Sequence, residues 1–442
     1  MSPEKNKDSP LTEHPDVVFL RTTYLYRFID PYHYSLFLRA AVRLEREFLQ
    51  VSFSKKIKFI IYLFRWFFYK FIKKIKKIFF SVARPVLSQT SSEVLFAAQF
   101  QGGIGDLVNA SAFLTALYEN KSFPKLDLYF HNTRALQFVF SKAPFVNKLF
   151  DIDTLKTNSK NYDLILTITD WLEVEVNTNK KLHPLSLSIE KIFKNKKNNF
   201  QHYDLYLRKR YLFKGYYAYE MVRRGFNRIS APGYFLDLAI SKTHLKIYPD
   251  HPSESYLASQ SLTPHTYITI HDGFDNDFVH KTHRSTKQWS LAHWENLCRL
   301  LQDSFPHLRI IQLGAKTSRP IPGITDSFIN KTSLEEAAFI LKNSKLHIDG
   351  ESGLARIAAA LQTPCITLFG PTNFEYFAIA GNINLKPQAC GGCNWFSDDW
   401  MSECPRGFKQ PECLESTLPD AVFKKTQEIL IRCADYLTLG KT

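Results

Sequence analysis

The sequence predicts an α/β protein with two doubly wound parallel-sheet domains that face each other across a cleft. Apolar strand-like runs alternate with helix-like runs along residues 94–168 and again along residues 267–437. This alternation is typical of parallel sheets covered by helices. Each half also has a glycine-rich turn between a strand and a helix, at 102–105 and at 350–353. Because ligands of such sheets bind at the turns that end the strands, we expect the functional site in the cleft.

The length of 442 residues exceeds that of one ordinary hydrophobic core, so we expect several structural units. Hydrophobic residues make up 45% and charged residues 22%, which is ordinary for a folded protein. The predicted units are a helical basic extension over 1–90, a Rossmann-like domain over 91–260 and a second Rossmann-like domain over 261–417. A C-terminal helix over 418–442 is expected to pack back on the N-terminal domain.

The extension carries much of the net charge of +15. No acidic residue lies between Phe48 and Ser92, whereas the basic residues there are Lys55, Lys56, Lys58, Arg65, Lys70, Lys73, Lys74, Lys76, Lys77 and Arg84. The helical spacing predicts a basic amphipathic helix over 55–80 that lies on an anionic membrane surface. Its uncharged runs are far below the roughly 20 residues that span a bilayer. An appendage with solvated lysines, packed on the protein's own core, is the alternative.

The charge by itself does not indicate nucleic acid as a partner, because no motif that reads bases accompanies it. The first 17 residues are polar and charged, so no cleavable signal peptide is expected. These features favour a cytoplasmic protein, peripheral at the cytoplasmic face of a membrane.

The first domain begins with an apolar strand over 94–100, followed by the glycine turn and a helix to about residue 120. Further strands are predicted in LDLYFH, near 146–151 and over 162–168. Residues 175–230 are polar and rich in Lys, Asn and Tyr. They predict only helices and loops, and their role is not legible.

The first glycine turn contains Gly102, Gly103 and Gly105, with Asp106 in the first turn of the following helix. The glycines allow positive φ and close approach of a neighbour, and they leave helix N–H groups facing the cleft. Asp106 is either a helix cap, stabilising by about 0.5–2 kcal/mol, or a general base aimed into the cleft. The turn is neither a dinucleotide fingerprint nor a phosphate-binding P-loop.

The second domain begins with a strand over 267–270. After it we predict helices over 291–301, 334–341, 354–361 and from Pro419 to about 437, with strands in LRIIQLG, KLHID and CITLFG. In the turn after KLHID, Gly350, Ser352 and Gly353 are small, and Leu354 begins the helix. A diphosphate can rest on this bare helix N-terminus while Glu351 takes a ribose or sugar hydroxyl. The turn therefore predicts a nucleotide-donor pocket.

Three stretches resemble glycosyltransferase family 9, the ADP-heptose heptosyltransferases, over roughly residues 93–435. They are GGIGDLVNASAFLTALYE, HDGFDNDFVHKTHRSTKQWSLAHWENL and DGESGLARIAAALQTPCITLFGPT. In the third, Glu351, Ser352 and Gly353 stand in for the family's Asp-Thr/Ser-Gly, and Arg356 stands where many members have His. The resemblance implies the GT-B fold, with an N-terminal acceptor domain and a C-terminal nucleotide-sugar domain.

The resemblance also implies an inverting single displacement without a catalytic metal. Asp106 is the expected base, and Lys287 is expected to meet the charge that develops on the leaving phosphate. Trp289 is expected to pack rather than to contact the donor. The remaining expected site residues are Gly102, Gly103 and Gly105 on the acceptor side, and Gly273, Gly314, Glu351, Ser352, Gly353, Leu354 and Arg356 on the donor side.

The functional hypothesis is transfer of a sugar, most simply heptose from ADP-heptose, to a lipopolysaccharide core acceptor at the bacterial inner membrane. A protein O-heptosyltransferase acting on an autotransporter-type adhesin is the first alternative. A non-catalytic nucleotide-sugar-binding module at the membrane surface is the second.

Four cysteines, Cys390, Cys393, Cys404 and Cys413, have the spacing C-x2-C-x10-C-x8-C. In a reducing compartment this clustering favours a structural zinc or iron site over disulfides, with unligated buried thiols as the alternative. Related protein O-heptosyltransferases hold iron in such a loop. Cys298, Cys365 and Cys433 are expected in the core. The string Asp275-Asn276-Asp277 and the pair His280 and His283 are expected in a solvated loop rather than at a metal.

Overall fold

The structure is a computed structural model that describes residues 95–121, 123–177, 183–200, 211–250, 252–253, 255–273, 285–395 and 400–439. The predictions for residues 1–90, for 275–277 and for His280 and His283 therefore lie outside the described residues, as does the side chain of Cys433.

The first domain is built on a five-stranded sheet in the order β3-β2-β1-β4-β5. Its strands are β1 (Phe96–Phe100), β2 (Leu126–Phe130), β3 (Val146–Asp151), β4 (Leu164–Ile168) and β5 (Leu172–Val176). All neighbouring pairs are parallel except β4 and β5. The central strands are almost wholly buried, because helices cover both faces of a parallel sheet.

The helices of this half of the chain are α1 (Ile104–Lys121), α2 (Thr133–Phe140), α3 (Leu155–Asn158), α4 (Pro184–Asn199), α5 (Tyr211–Arg223), α6 (Ala231–Tyr234) and α7 (Ser255–Ser259). Short 3₁₀ turns lie at Ile152–Thr154, Ser159–Asn161 and Lys242–His244. Helix α1 buries Leu107, Phe113 and Leu114 against the sheet. The first turn of α1 is thereby held at the end of β1.

The second domain has a six-stranded, fully parallel sheet in the order β11-β10-β9-β6-β7-β8. Its strands are β6 (Tyr267–Ile270), β7 (Arg309–Gly314), β8 (Asp326–Ile329), β9 (His347–Gly350), β10 (Cys365–Leu368) and β11 (Ile383–Leu385). Its helices are α8 (Leu291–Ser304), α9 (Leu334–Lys342), α10 (Gly353–Ala360), α11 (Phe374–Phe377), α12 (Glu412–Glu415) and α13 (Pro419–Leu439).

Both sheets reverse strand order at one point, between β1 and β4 in the first and between β6 and β9 in the second. Loops leave these neighbouring strands in opposite directions, which opens a crevice at their carboxyl ends. Both predicted glycine turns follow strands at these reversal points. The topology therefore places both turns where ligands of doubly wound sheets bind.

Three strands are additions to the prediction. β5 begins just before the region 175–230 and ends inside it, whereas β8 and β11 are edge strands of only four and three residues. The prediction for the C-terminal helix is corrected, because Val422 and Leu430 of α13 pack in the core of the second sheet. Leu257 of α7 also packs in the second domain's core, a few residues before the predicted boundary. No described helix is both long enough and apolar enough to cross a membrane.

Candidate functional site

The two predicted glycine turns touch each other. Gly105 lies in the first turn of α1 and Gly353 is the first residue of α10. A Cβ atom placed on Gly353 would lie 2.6 Å from Ile104 Cγ2, and one on Gly105 would lie 3.2 Å from Gly353 Cα. Only residues without a side chain permit this approach. The acceptor-side turn and the donor turn therefore form one site where the domains meet.

Asp106 lies at this meeting point with its side chain 35% exposed. Its Oδ2 accepts a hydrogen bond from Gly103 N at 3.0 Å, as a helix-capping carboxylate does. Its Oδ1 accepts a bond from Arg228 Nη2 at 2.8 Å. Gly102 has φ +107°, and a Cβ there would overlap the Asp106 carboxylate. The capping and general-base interpretations are thus compatible in one partly exposed carboxylate.

Arg228 is a site residue that the sequence did not reveal. It follows α5 in the region whose role was not legible, 122 positions from Asp106, and no local motif marks it. Its guanidinium also donates to Thr169 O at 2.7 Å and lies 3.4 Å from Asp170 Oδ1. Thr169 and Asp170 directly follow β4, the strand beside β1 at the reversal point. Arg228 therefore bridges the two strand ends that frame this side of the crevice.

Lys214 of α5 completes this group, with its Nζ 2.7 Å from Asp170 Oδ2. Burial alone would raise the pKa of Asp170, but the charges of Arg228 and Lys214 outweigh burial and hold it below its ordinary value. Burial alone would lower the pKa of Arg228, and Asp170 and Asp106 raise it instead. Arg228 is therefore charged at every physiological pH.

Across the junction, Glu351 lies between two cations of its own domain. Lys287 Nζ is 2.8 Å from Glu351 Oε2, and Arg356 Nη2 is 3.1 Å from Glu351 Oε1. Burial alone would raise the pKa of Glu351, but Lys287 and Arg356 hold it below its ordinary value. The structure thus brings the predicted Lys287, Glu351 and Arg356 together as one charged cluster beside the donor turn.

Arg356 links the two charged groups. It is 2% exposed, donates to Phe377 O at 2.7 Å, and its pKa is lowered by burial. The charges of Asp106 and Arg228 also act on it from the first domain. The Asp106 carboxylate therefore lies among cations from both domains.

The helix N-terminus at the donor turn is capped, which corrects the expectation of a bare tip. Ser352 Oγ accepts hydrogen bonds from Leu354 N and Ala355 N, at 3.1 and 3.4 Å. The same hydroxyl donates to Asp349 Oδ2. A phosphate at this turn would have to displace the Ser352 hydroxyl to reach those two N–H groups.

Asp349 is the buried anchor of the turn. His271 Nδ1 lies 2.9 Å from its Oδ1 and His347 Nε2 lies 3.2 Å from its Oδ2. Burial alone would raise the pKa of Asp349, but the two histidines hold it below its ordinary value. Gly273 packs on Gly350, where a Cβ would come within 2.9 Å of the Gly350 Cα. The predicted Gly273 therefore supports the donor turn.

Gly314 and Trp289, which the sequence also singled out, make packing contacts within the second domain. Gly314 ends β7, and a Cβ there would meet the Ser318 side chain. Trp289 is buried, stacks edge-on against Trp294 and donates from Nε1 to Thr417 O at 3.0 Å. The predicted packing role of Trp289 is confirmed.

The cysteine loop lies against the segment that carries Lys287. Thr286 Oγ1 donates to Trp400 O at 2.7 Å and Ser285 Oγ donates to Met401 O at 2.9 Å. Within the loop, a hydrogen bond with Cys390, burial and the nearby Cys393 raise the pKa of the Cys413 thiol well above its ordinary value. Over the described part of the chain, however, no three His, Cys, Asp or Glu side chains form a group arranged to hold a metal ion.

Two doubly wound domains whose glycine turns meet, with a partly exposed carboxylate on one domain and the charged cluster around Glu351 on the other, have the architecture of the GT-B fold. Residues 275–394 match the family model described as glycosyltransferase family 9 (heptosyltransferase). The predicted resemblance to this family is thereby confirmed, on residues of the second domain.

Relatives of known name match this chain over about as many residues as the family model does. Lipopolysaccharide heptosyltransferase 1 of Escherichia coli K12 is 32% identical over 101 residues, which is 22% of this chain and 32% of that protein. The enzyme of the same name from Salmonella typhimurium is 28% identical over 118 residues, 26% of this chain and 36% of that protein. The chain thus spans about a third of the length of these relatives.

A solved structure supports the fold over a larger part of the chain. The iron-containing dodecameric glycosyltransferase TibC from enterotoxigenic E. coli H10407 superposes with a TM-score of 0.50 at 14% identity. The superposition covers 80% of this chain and 81% of that one. At this identity the likeness shows the fold.

Proposed function

We propose that this protein is an inverting glycosyltransferase that transfers heptose from ADP-heptose to an acceptor hydroxyl. The observation that carries the proposal is the contact between Gly105 and Gly353, which sets Asp106 of one domain opposite the donor turn of the other. A displacement at an anomeric carbon needs a base on the acceptor side and positive charge on the leaving-group side. The names of the curated relatives support heptose as the sugar.

In the proposed reaction Asp106 takes the proton of the acceptor hydroxyl while the oxygen of that hydroxyl bonds to the anomeric carbon. The bond from that carbon to the diphosphate oxygen breaks at the same time, and its electron pair leaves with the diphosphate. Lys287 stabilises the charge that develops there. Glu351 holds Lys287, with Oε2 and Nζ 2.8 Å apart. A ribose or sugar hydroxyl at Glu351 then replaces part of that contact.

The donor assignment is tested by calorimetry with ADP, GDP, UDP and CDP on the purified protein. We expect ADP to bind most tightly, and ADP-heptose to be consumed when an acceptor is present. Tighter binding of UDP would contradict the heptosyl assignment. Binding of ADP-heptose without any transfer to lipid or protein acceptors would favour a non-catalytic binding module.

For the acceptor we propose a lipopolysaccharide core at the cytoplasmic face of the inner membrane, which residues 55–80 would contact. The support is the charge of that segment and the lipopolysaccharide heptosyltransferase names of the relatives. Liposome flotation with and without residues 50–85 tests it. A lipid acceptor predicts that flotation and transfer are lost together. Loss of flotation with unchanged transfer to a polypeptide would favour the protein O-heptosyltransferase alternative.

A structural zinc or iron held by Cys390, Cys393, Cys404 and Cys413 is also part of the proposal. Its support is the set of four thiol donors and the proximity of Cys413 to Cys390 and Cys393. Bound there, the metal would fix the loop that braces Thr286 beside Lys287. Elemental analysis of purified protein should give zinc or iron near one equivalent per chain. Its absence from freshly purified, active protein would contradict the site.

A further inference from the structure

Arg228 is a buried charged side chain of the site that is held by several partners. It is 4% exposed, and its guanidinium contacts Thr169 O, Asp170 and Asp106. An arginine presents its donors in a rigid planar fork, so three such contacts fix its orientation. Arg228 can therefore fix the orientation of a carboxylate that accepts a hydrogen bond from it.

The two carboxylates that Arg228 holds differ in their surroundings. Asp170 is buried and has a second cation, Lys214, at 2.7 Å. Asp106 is 35% exposed and directly follows Gly105, which contacts Gly353 of the other domain. Asp170 thus supplies the permanent counter-charge that keeps Arg228 in place, while Asp106 is the carboxylate that an incoming substrate can reach.

Both oxygens of Asp106 are used in fixing its plane. Oδ2 accepts from Gly103 N and Oδ1 accepts from Arg228 Nη2. A short side chain with this exposure would otherwise sample several rotamers. Each oxygen keeps a second acceptor position, because a carboxylate oxygen accepts more than one bond. The carboxylate is therefore held still without being saturated.

Arg228 also contacts the second domain through its backbone. Its backbone N–H donates to Tyr376 O at 2.7 Å, and the Tyr376 hydroxyl donates to Asp170 O at 3.2 Å. Tyr376 belongs to α11, which follows the donor-side strand β10. A displacement of α11 relative to the first domain would therefore move Arg228 and the carboxylate that it holds.

We infer that Arg228 is the positioning residue for Asp106 and that it couples the orientation of this carboxylate to the seating of the donor domain. The inference rests on the proposed function, in which Asp106 is the general base. General-base catalysis contributes about 10²–10⁴-fold, and misplacement by about 1 Å can cost about 100-fold. Loss of Arg228 should therefore reduce turnover through Asp106 and leave donor binding largely intact.

The kinetic test compares Arg228→Gln, Arg228→Lys, Asp106→Asn and the double variant Asp106→Asn/Arg228→Gln. We expect Arg228→Gln to lower kcat by about 30-fold or more with the donor KM within about twofold, and Arg228→Lys to recover part of the loss. In the Asp106→Asn background, Arg228→Gln should have no further effect on kcat, because both act at one group. Multiplicative losses in the double variant, or near-wild-type kcat in both Arg228 variants, would overturn the inference.

The control for losing an arginine–aspartate pair is Arg309→Gln. Arg309 Nη2 lies 2.8 Å from Asp326 Oδ2. Both residues begin their strands, β7 and β8, so the pair lies at the edge of the second sheet opposite to the site. Arg309→Gln should leave kcat unchanged. If Arg228→Gln does not fold, Arg228→Lys carries the same kinetic comparison with Asp106→Asn.

A crystallographic comparison separates this inference from the proposed function. Crystal structures of the wild type and of Arg228→Lys are compared. In the variant, which lacks the guanidinium group, the Asp106 carboxylate should be rotated away from its wild-type position. An unmoved carboxylate would overturn the positioning role, whatever the activity. Absence of sugar transfer by the wild type, together with a rotated carboxylate, would contradict the proposed function and leave the positioning role supported.

Discussion

The contact between the glycine turns predicts that one methyl group at Gly353 disturbs the site. In Gly353→Ala the new Cβ would lie 2.6 Å from Ile104 Cγ2 and 3.4 Å from Gly105 N. The Ile104 methyl is on a β-branched side chain with little rotational freedom, so it cannot swing aside cheaply. Overpacking of this kind costs about 1–3 kcal/mol, and the gain from alanine's helix propensity is at most about 1 kcal/mol. We expect a net destabilisation of about 1–2 kcal/mol, relieved by slight separation of the domains.

The separation matters more for transfer than for stability, because misplacement by about 1 Å can cost about 100-fold in rate. Urea denaturation gives the stability change, and sugar transfer under saturating donor gives kcat. Gly103→Ala is the control in the facing glycine turn, since a Cβ there meets nothing within 4 Å. It should change stability by less than about 0.5 kcal/mol. Wild-type kcat in Gly353→Ala would refute the contact between the turns in the active enzyme.

Two further predictions concern the buried charges. Glu351→Gln leaves Lys287 and the buried Arg356 without their carboxylate, so urea denaturation should show a loss of about 3 kcal/mol; a loss below about 1 kcal/mol would contradict the pairing. Asp170, Asp349 and Glu351 have pKa values held below their ordinary ones, so they stabilise the fold above ordinary carboxyl pKa values and lose that contribution as pH falls below about 4. Asp272, whose pKa burial raises, acts in the opposite sense, but the other three outnumber it. Thermal melts should therefore show Tm falling steeply from pH 5 toward about pH 3, and a constant Tm over that range would refute the assignment.

Most of the fold was predictable because local signals and topology agree. The apolar run before Gly102 and the helix after it correspond to β1 and α1, and the four strands predicted for the second domain begin within a residue or two of their predicted positions. β8 and β11 carry little signal, since an edge strand of three or four residues has no repeated pattern. The side on which α13 packs depends on tertiary contacts of Val422 and Leu430, which helical periodicity alone cannot assign.

The site was predictable only where function leaves a local pattern. The two glycine turns reveal themselves because close backbone contact admits only glycine, and the structure brings them together. Arg228 was not predictable, because its role depends on strand ends far away in the chain. The prediction of an uncapped α10 N-terminus is wrong for a related reason. Ser352 is small, but its hydroxyl occupies the N-cap position and accepts the hydrogen bonds of two helix N–H groups.

The most direct test of the central claim is kcat for sugar transfer by Asp106→Asn, with donor affinity measured by calorimetry on the same protein. The substitution keeps the shape of the side chain and its oxygen toward Arg228 or Gly103 N, and removes its basicity. The account predicts that kcat falls by about 100-fold or more while donor affinity stays within about twofold. A kcat within a few-fold of wild type would show that Asp106 is not the base and would contradict the account.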